Sequence, residues 1–273
     1  MLDRELRVAC VLAQEAGAAI EGIRAAGFKE ESKSDRTPVT EADLASDRIL
    51  RRGLLEAFPE DSLLSEESEN HVGGSCRTWI IDPLDGTRGF INDVEGYAVQ
   101  IGLVVDEAPV LGVVYEPRHG RLYFATRGHG ATLREGGVER LVRVSPRDDF
   151  SLMTMVASSS LAQDKRTALR AHLGVSREVV MRSVGSKVGA LVRQNADIYV
   201  SSHPVKYWDS CGPLVILEEA GGVWTHLDGS PLSFSMSTTI PIHGGPFLVS
   251  NGHRHAEACQ AAQRILVDQA ADE

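Results

Sequence analysis

Apolar residues recur at spacings of three and four from Leu2 to about residue 25, and this pattern predicts a long amphipathic helix that ends at Gly27. A second helix is predicted from Thr40 to the residue before Pro59, because four apolar residues again share one face. The polar residues between the two helices end in a Thr-Pro pair, which favours extended or turn backbone.

Runs of apolar and β-branched residues then predict strands at 78–81, 97–105, 109–116 and 120–126. A charged, glycine-bearing stretch at 135–149 is the expected domain boundary. Beyond it, strand-like and helix-like segments alternate up to residue 220, as in α/β folds. The sequence therefore predicts an α/β protein with an α+β N-terminal half, residues 1–145, and an α/β C-terminal half, residues 146–273.

Composition narrows the class of protein. The 273 residues are 42% apolar and 24% charged, which is typical of a chain that buries a core, and the formal net charge is −10. This acidic balance argues against a nucleic-acid polymer as partner, but a small anionic ligand held through a metal remains compatible with it. No apolar run approaches the roughly 18–20 residues that cross a bilayer, and the charged N-terminus resembles no targeting segment. Because its four cysteines are widely scattered, we expect reduced thiols in a cytoplasmic protein without membrane attachment.

Carboxylates are concentrated at four places, and each place has an ordinary structural explanation. Asp43 completes a Thr-x-x-Asp helix-capping box, and Glu66 lies in an acidic stretch typical of a solvated loop. The Asp-Pro and Asp-Gly pairs that begin with Asp82 and Asp85 are turn signals, and Asp209 could follow a core tryptophan at a helix start. Taken alone, none of these positions indicates a function.

The chemistry of these positions fits together. Asp82 ends a strand, and Asp85 follows it after a stiff proline, so both carboxylates and the Leu84 carbonyl can face one point. Oxygen ligands of this kind suit Mg²⁺, and the following Gly86 and Thr87 can offer backbone N–H groups to a phosphate. This pattern predicts metal-assisted phosphoryl transfer to water. The Asp-x-x-Asp-Gly-Thr spacing is one residue longer than the motif of phosphatases with a covalent aspartate, which argues against that mechanism.

The combined motifs resemble the lithium-sensitive, magnesium-dependent phosphatases of the inositol monophosphatase superfamily. The resemblance extends from about residue 30 to 222 and rests on Glu66-Glu67, the segment from Asp82 to Thr87, Trp208-Asp209 and the segment 218–222. It implies a layered αβαβα sandwich with the active site between the two halves.

Several segments are most similar to the 3'(2'),5'-bisphosphate nucleotidase branch of the superfamily. They are residues 33–43, Arg88-Gly89-Phe90, the segment 112–117 and the segment 183–189. Ser210-Cys211-Gly212 departs from the small alanines of many relatives, and we expect this departure to affect the shape of the substrate pocket.

The resemblance implies a role for each site residue. Two or three Mg²⁺ ions would be bound by four carboxylates and one carbonyl, and Li⁺ would inhibit; the ligands are Glu66, Asp82, Leu84, Asp85 and Asp209. Asp43 and Thr87 would accept the proton of a metal-bound water that Glu66 helps to position. Gly86 and Thr87 would hold the phosphate, and Asp209 and the segment Gly185, Ser186 and Lys187 would contact the rest of the substrate. For Lys187, an ordinary surface lysine at a helix start is the alternative.

The expected partner is a small phosphorylated substrate. The leading hypothesis is the 3'-phosphate of 3'-phosphoadenosine 5'-phosphate, which implies a role in sulfur metabolism. Inositol phosphate, histidinol phosphate or another sugar-alcohol phosphate is the alternative, and a non-catalytic metal- or nucleotide-binding sensor is the alternative of another class. The sequence does not define the oligomeric state, and a homodimer is compatible with the resemblance. His253 and His255 are interpreted as solvated residues at a helix start.

Overall fold

A computed structural model describes residues 2–32, 38–92, 96–236 and 241–267 of the chain. The helices in these ranges are α1 (Asp3–Ala26), α2 (Glu41–Ala57), α3 (Thr87–Ile91), α4 (Gln163–Leu173), α5 (Val184–Val192), α6 (Tyr207–Glu219) and α7 (His255–Leu266). The strands are β1 (Glu30–Ser32), β2 (Pro38–Thr40), β3 (Ser62–Ser65), β4 (Arg77–Asp85), β5 (Ala98–Val105), β6 (Ala108–Glu116), β7 (Arg121–Thr126), β8 (Ala131–Glu135), β9 (Val138–Val142), β10 (Thr154–Ser158), β11 (Arg177–Met181), β12 (Ile198–Ser201), β13 (Val205–Lys206), β14 (Val223–His226), β15 (Ile242–His243) and β16 (Phe247–Ser250).

The two N-terminal helices confirm the predictions made from the apolar periodicity. α1 buries Ala9, Ala13, Ala16 and Ile20 on one face, and its last residue precedes Gly27, whose φ is 82°. α2 follows Thr40, and its backbone leaves the helix at Phe58. Both helices pack against each other and against the first sheet, so together they form one outer layer.

The first sheet has seven strands in the order β3-β4-β5-β6-β7-β8-β9. All neighbouring pairs are antiparallel except β3 and β4, which are parallel and therefore end at the same edge. β8 and β9 form a hairpin through Gly136 and Gly137, which have φ values of 59° and 80°. The sequence prediction missed this hairpin, because its glycine turn lies in the stretch that we expected to be a boundary. Residues 143–149 contain no helix or strand, and the division into two domains at residue 145 stays a prediction.

The second sheet has five strands in the order β11-β10-β12-β16-β14. β11, β10 and β12 are parallel, and β16 is antiparallel to both of its neighbours, β12 and β14. α5 and α6 pack between the two sheets, and α4 and α7 cover the outer face of the second sheet. The layers follow the order helix, sheet, helix, sheet, helix, so the predicted αβαβα sandwich is confirmed. No helix in the described ranges is both long and apolar enough to span a membrane.

Glycine allows α6 to approach the first sheet closely. A Cβ on Gly112 would lie 2.1 Å from the Gly212 carbonyl oxygen, and a Cβ on Gly102 would lie 2.3 Å from the Cys211 sulfur. Ser210 is also buried, and its hydroxyl donates to the Lys206 carbonyl oxygen. The segment 210–212 is therefore the part of α6 that packs against the first sheet in the core. This packing accounts for its small residues without reference to a pocket.

We expect Gly112→Ala to lower the free energy of unfolding by about 3 kcal/mol, because the added methyl group overpacks a contact between two backbones. Gly22→Ala is the matched control, since nothing lies within 4 Å of a Cβ at that helical position. The control should raise the free energy of unfolding by about 0.5–1 kcal/mol. Urea unfolding monitored by circular dichroism measures both changes, and equal effects of the two variants would contradict the assignment of Gly112 to a close contact.

Candidate metal centre

Two of the predicted carboxylate ligands, Asp82 and Asp85, lie at the end of β4. The ladder between β4 and β5 is irregular from Asp82 to Asp85, because Pro83 has no N–H group to donate to a neighbouring strand. The Leu84 N–H group donates to Asp82 Oδ1 at 3.0 Å. These features turn the backbone at the strand end and bring the two carboxylates together.

The other two carboxylates come from different elements. Asp209 is the third residue of α6, where it accepts a hydrogen bond from the Lys206 N–H group at 3.2 Å. Oxygen atoms of Asp82, Asp85 and Asp209 lie within 4.8 Å of one another. Glu66 follows β3, the parallel neighbour of β4, and its carboxylate acts electrostatically on both Asp82 and Asp209. The structure thus brings three of the four predicted carboxylate ligands together and places the fourth, Glu66, near enough to affect two of them electrostatically.

Burial and mutual repulsion make this cluster costly when no cation is bound. Burial is the largest cause that raises the pKa of Asp82 and of Asp209, and the nearby carboxylates raise both further; the pKa of Asp209 is raised to about 8. Burial also raises the pKa of Asp85, against hydrogen bonds that favour its ionised form. A bound cation would offset this penalty. The donors are all oxygen atoms, and this donor set fits Mg²⁺.

Asp85 is anchored by the start of α5. Its Oδ2 atom accepts from the Ser183 hydroxyl at 2.6 Å and from the Gly185 N–H group at 2.9 Å. The Ser183 oxygen in turn accepts from the Ser186 N–H group at 2.9 Å. Sequence reasoning gave Ser183 no role, although its position as the N-cap of α5 is a recognisable signal. The N–H groups of Gly185 and Ser186 are engaged inside the protein, so direct contact of this segment with a substrate stays a prediction.

Lys187 is buried, and only 1% of its surface is exposed. The alternative of a surface lysine is therefore wrong. Its ammonium group donates to the Arg182 carbonyl oxygen at 3.0 Å and lies 4.6 Å from the centre of the Tyr199 ring. Burial lowers its pKa to about 8, while the charges of Asp85 and Asp209 oppose this shift. Lys187 thus places positive charge near two carboxylates of the cluster.

Asp43 and Thr87 form the predicted hydrogen-bonded pair. The Thr87 hydroxyl lies 2.9 Å from Asp43 Oδ1 and 3.2 Å from the Leu84 carbonyl oxygen, and it can donate to either. Asp43 Oδ2 accepts from the Thr40 N–H group and from the Thr40 hydroxyl, both at 2.7 Å. The capping box is therefore present as well, and one carboxylate serves both contacts. Burial raises the pKa of Asp43, and its hydrogen bonds to Thr40 and Thr87 oppose that shift.

Gly86 connects the carboxylate cluster to α3. Its φ is 90°, and a Cβ there would lie 2.6 Å from the Gly96 carbonyl oxygen, so a side chain would strain this turn. Beside the turn lies a cavity of about 490 Å³, whose lining includes Glu66, Gly86, Thr87, Arg88 and Arg182. This volume is within the range of roughly 300–1,000 Å³ that is typical of small-molecule sites. The predicted phosphate-binding residues thus face a space that can hold a ligand.

Two histidines that the sequence analysis interpreted, His253 and His255, do not line this cavity. His253 is exposed, as expected, whereas His255 is half-buried and its two ring nitrogens lie 2.8 Å from the hydroxyls of Thr225 and Ser250. His255 therefore holds protein groups together, and the solvated interpretation is wrong for this residue. The segment 33–37, which contributed to the resemblance, lies outside the described residues.

Comparisons with known proteins agree with this geometry. The protein-family model described as the inositol monophosphatase family matches residues 1–267 of the sequence. A histidinol-phosphatase of Streptomyces coelicolor is 33% identical and covers 93% of this chain and 94% of its own length. A 3'(2'),5'-bisphosphate nucleotidase CysQ of Aggregatibacter actinomycetemcomitans is 32% identical over 82% of this chain and 85% of its own length. The structure of an Anabaena inositol monophosphatase superposes with a TM-score of 0.78 at 28% identity, covering 97% of each chain.

The family match extends over nearly the whole chain, and the fold and the acidic cluster are consistent with it. The resemblance to the superfamily that the motifs indicated is confirmed, whereas relatives of comparable identity carry different substrate names. The chain therefore belongs to the inositol monophosphatase family and is a metal-dependent phosphatase.

Proposed function

We propose that the protein is a 3'(2'),5'-bisphosphate nucleotidase that removes the 3'-phosphate of 3'-phosphoadenosine 5'-phosphate and acts in sulfur metabolism. The observation that carries the hydrolytic part is the carboxylate trio of Asp82, Asp85 and Asp209 next to the cavity at Gly86 and Thr87. Arg88 supports the nucleotide part, because it lines the same cavity and belongs to the segment most similar to nucleotidases.

In this proposal, two or three Mg²⁺ ions are held by Glu66, Asp82, Asp85, Asp209 and the carbonyl oxygen of Leu84. When bound, Mg²⁺ supplies positive charge that polarises the phosphate and stabilises charge on the attacking and leaving oxygens. Li⁺ competes for these ligands and inhibits.

The protein's own groups perform the proton transfer and hold the substrate. Thr87 accepts the proton of the attacking water, and Asp43 accepts the Thr87 hydroxyl proton in turn, along the hydrogen bond of 2.9 Å. The N–H groups of Gly86 and Thr87 hold the phosphate, and Asp209 also contacts the substrate. The segment 185–187 holds Asp85 in place. The Gly185 N–H group donates to Asp85, the Ser186 N–H group donates to the Ser183 hydroxyl oxygen, and the charge of Lys187 favours the ionised form of Asp85.

Histidinol phosphate is the second candidate, because a histidinol-phosphatase matches 93% of the chain. The test measures phosphate release from 3'-phosphoadenosine 5'-phosphate, histidinol phosphate and inositol 1-phosphate, with Mg²⁺, with Mg²⁺ and Li⁺, and with a chelator. We expect kcat/KM for the bisphosphate to exceed the other two values by at least about tenfold, because only this substrate offers Arg88 a second phosphate. A higher value for histidinol phosphate would replace the proposal, and no release from any of the three would exclude them all as substrates of this phosphatase.

Mg²⁺ is expected to stabilise the fold more at pH 8 than at pH 5.5. Burial raises the pKa of Asp82 and Asp209 in the folded protein without metal, the latter to about 8. Aspartates of the unfolded chain have pKa values of about 3.9. The folded state therefore binds protons more tightly than the unfolded chain. The unfolding free energy of the metal-free protein therefore falls as pH rises from about 4 to about 8. Bound Mg²⁺ favours the ionised carboxylates and removes this slope.

The measurement is the thermal unfolding midpoint with and without Mg²⁺ at several pH values. At each pH, the midpoint without Mg²⁺ is subtracted from the midpoint with Mg²⁺. Groups outside the metal centre titrate equally in both samples, so their contribution cancels. We expect the difference to grow by several degrees between pH 5.5 and 8. A difference that is constant over this range, or that shrinks, would contradict Mg²⁺ binding by these carboxylates.

A further inference from the structure

Two arginines line the cavity beside the carboxylate cluster. Arg88 and Arg182 share the cavity lining with Glu66 and Thr87, together with the hydroxyl-bearing residues Ser159 and Ser160. The cavity therefore has two chemically different sets of groups. Carboxylates require a cation before an anionic substrate can approach them, whereas a guanidinium group attracts an anion directly.

Neither of these guanidinium groups is engaged elsewhere within the described part of the chain. Other arginines of the protein are paired with carboxylates: Arg193 bonds Glu116 at 3.0 Å, and Arg147 bonds Asp197 at 3.1 Å. No such ion pair or side-chain hydrogen bond joins Arg88 or Arg182 to a described residue. Both groups therefore keep their donors for a ligand in the cavity.

The backbone holds both arginines close to groups of the site. Arg88 directly follows Thr87 in α3, and Arg182 directly precedes Ser183, whose hydroxyl donates to Asp85. The Arg182 carbonyl oxygen also accepts from the buried ammonium of Lys187. The two side chains therefore extend from backbone that is fixed relative to the carboxylates, as a subsite with a defined distance from the reacting phosphate requires.

We infer that Arg88 and Arg182 form an anion subsite that binds a second, non-reacting phosphate of the substrate. This inference rests on the proposed function, and it identifies the substrate class as phosphate esters with two separate anionic groups. A guanidinium group binds a phosphate through two parallel hydrogen bonds, which fixes its orientation as well as its charge. The same two arginines disfavour a substrate that carries an ammonium group, as histidinol phosphate does.

The test uses Arg182→Gln and Arg88→Gln in the full-length protein, with Arg140→Gln as the control. Arg140 is an exposed arginine of β9 that does not line the cavity, so the control loses the same charge at a distance from it. We expect each cavity variant to raise KM for 3'-phosphoadenosine 5'-phosphate at least tenfold with kcat changed less than twofold. For adenosine 3'-monophosphate, which lacks the second phosphate, KM should change less than twofold.

An equal rise in KM for both nucleotides would overturn the subsite, because it would show that the arginines bind the reacting phosphate. Unchanged KM for the bisphosphate would overturn it as well. If the protein hydrolyses another phosphate ester and neither nucleotide, the proposed substrate fails, and the subsite is tested with adenosine 5'-monophosphate as inhibitor of that reaction. A rise of at least fivefold in the inhibition constant of Arg182→Gln supports the subsite, whereas no inhibition of the unaltered protein or no change in the variant overturns it.

Discussion

Asp85→Asn is expected to lower Mg²⁺-dependent phosphate release by about 1,000-fold or more while the protein stays folded. The substitution removes one charge from the carboxylate trio and replaces a proposed ligand oxygen by an NH₂ group that cannot bind a cation. Preorganised charge around the reacting phosphate supplies most of the rate enhancement of such enzymes, and removing one stabilising group commonly costs 10²–10³-fold. If Asp85 is a metal ligand as proposed, its loss acts on several of these interactions at once.

The contacts of Asp85 explain why the fold should tolerate this change. Its Oδ2 atom accepts from the Ser183 hydroxyl and from the Gly185 N–H group, and the amide oxygen of asparagine can accept both hydrogen bonds. The NH₂ group then takes the place of Oδ1, the oxygen that neither of these hydrogen bonds uses. Because the like-charge repulsion that raises the pKa of Asp82 also decreases, we expect the metal-free variant to be at least as stable as the unaltered protein.

Phosphate release and the thermal unfolding midpoint are measured together for this prediction. Asp148→Asn is the control, because Asp148 is an exposed aspartate of the segment 143–149 and loses the same charge. The control should retain full activity. Retained turnover of Asp85→Asn at saturating Mg²⁺ would contradict the assignment of Asp85 as a ligand, and a drop in activity that parallels a drop in the unfolding midpoint would indicate misfolding instead.

Local sequence signals predicted the groups whose neighbours are close along the chain. The Thr40–Asp43 capping box could be read directly from a four-residue pattern, and the turn at Asp82 and Asp85 follows from Pro83. The alternating strand and helix periodicities of the C-terminal half predicted its α/β character, whereas the layered sandwich followed from the resemblance to the superfamily. The β8–β9 hairpin was missed, since β9 is exposed at four of its five residues and lacks the apolar alternation of a half-buried strand.

Contacts between distant parts of the chain were not predictable in this way. Ser183 and Asp85 are 98 residues apart, and only the packing of α5 between the two sheets brings them together. The same packing buries Lys187, which a helix-start pattern alone could not separate from a surface lysine. Arg182 lies at the junction between β11 and α5, so the packing of α5 also places it in the cavity lining. The tertiary structure thus determines the roles of residues whose local sequence is ordinary.

Asp43→Asn is expected to lower kcat by about 10²–10⁴-fold with KM and the Mg²⁺ requirement changed less than about threefold. The amide oxygen of asparagine can keep both contacts with Thr40, so the helix cap remains. Its NH₂ group then faces the Thr87 hydroxyl and donates a hydrogen bond to the hydroxyl oxygen. The Thr87 hydroxyl therefore donates its own hydrogen bond to the Leu84 carbonyl oxygen instead. Thr87 loses its acceptor and can no longer pass on a proton from the attacking water.

A double-mutant cycle with Thr87→Val separates a shared proton pathway from two independent contributions. If Asp43 acts through Thr87, the double variant should be no slower than the slower single variant, because either substitution already interrupts the pathway. Glu41→Gln in the same turn of α2 is the matched control and should leave kcat unchanged. Additive losses in the double variant would show that the two residues act separately. A fall in the unfolding midpoint that accounts for the loss of activity would instead assign Asp43 to the helix cap alone, where its removal costs about 0.5–2 kcal/mol.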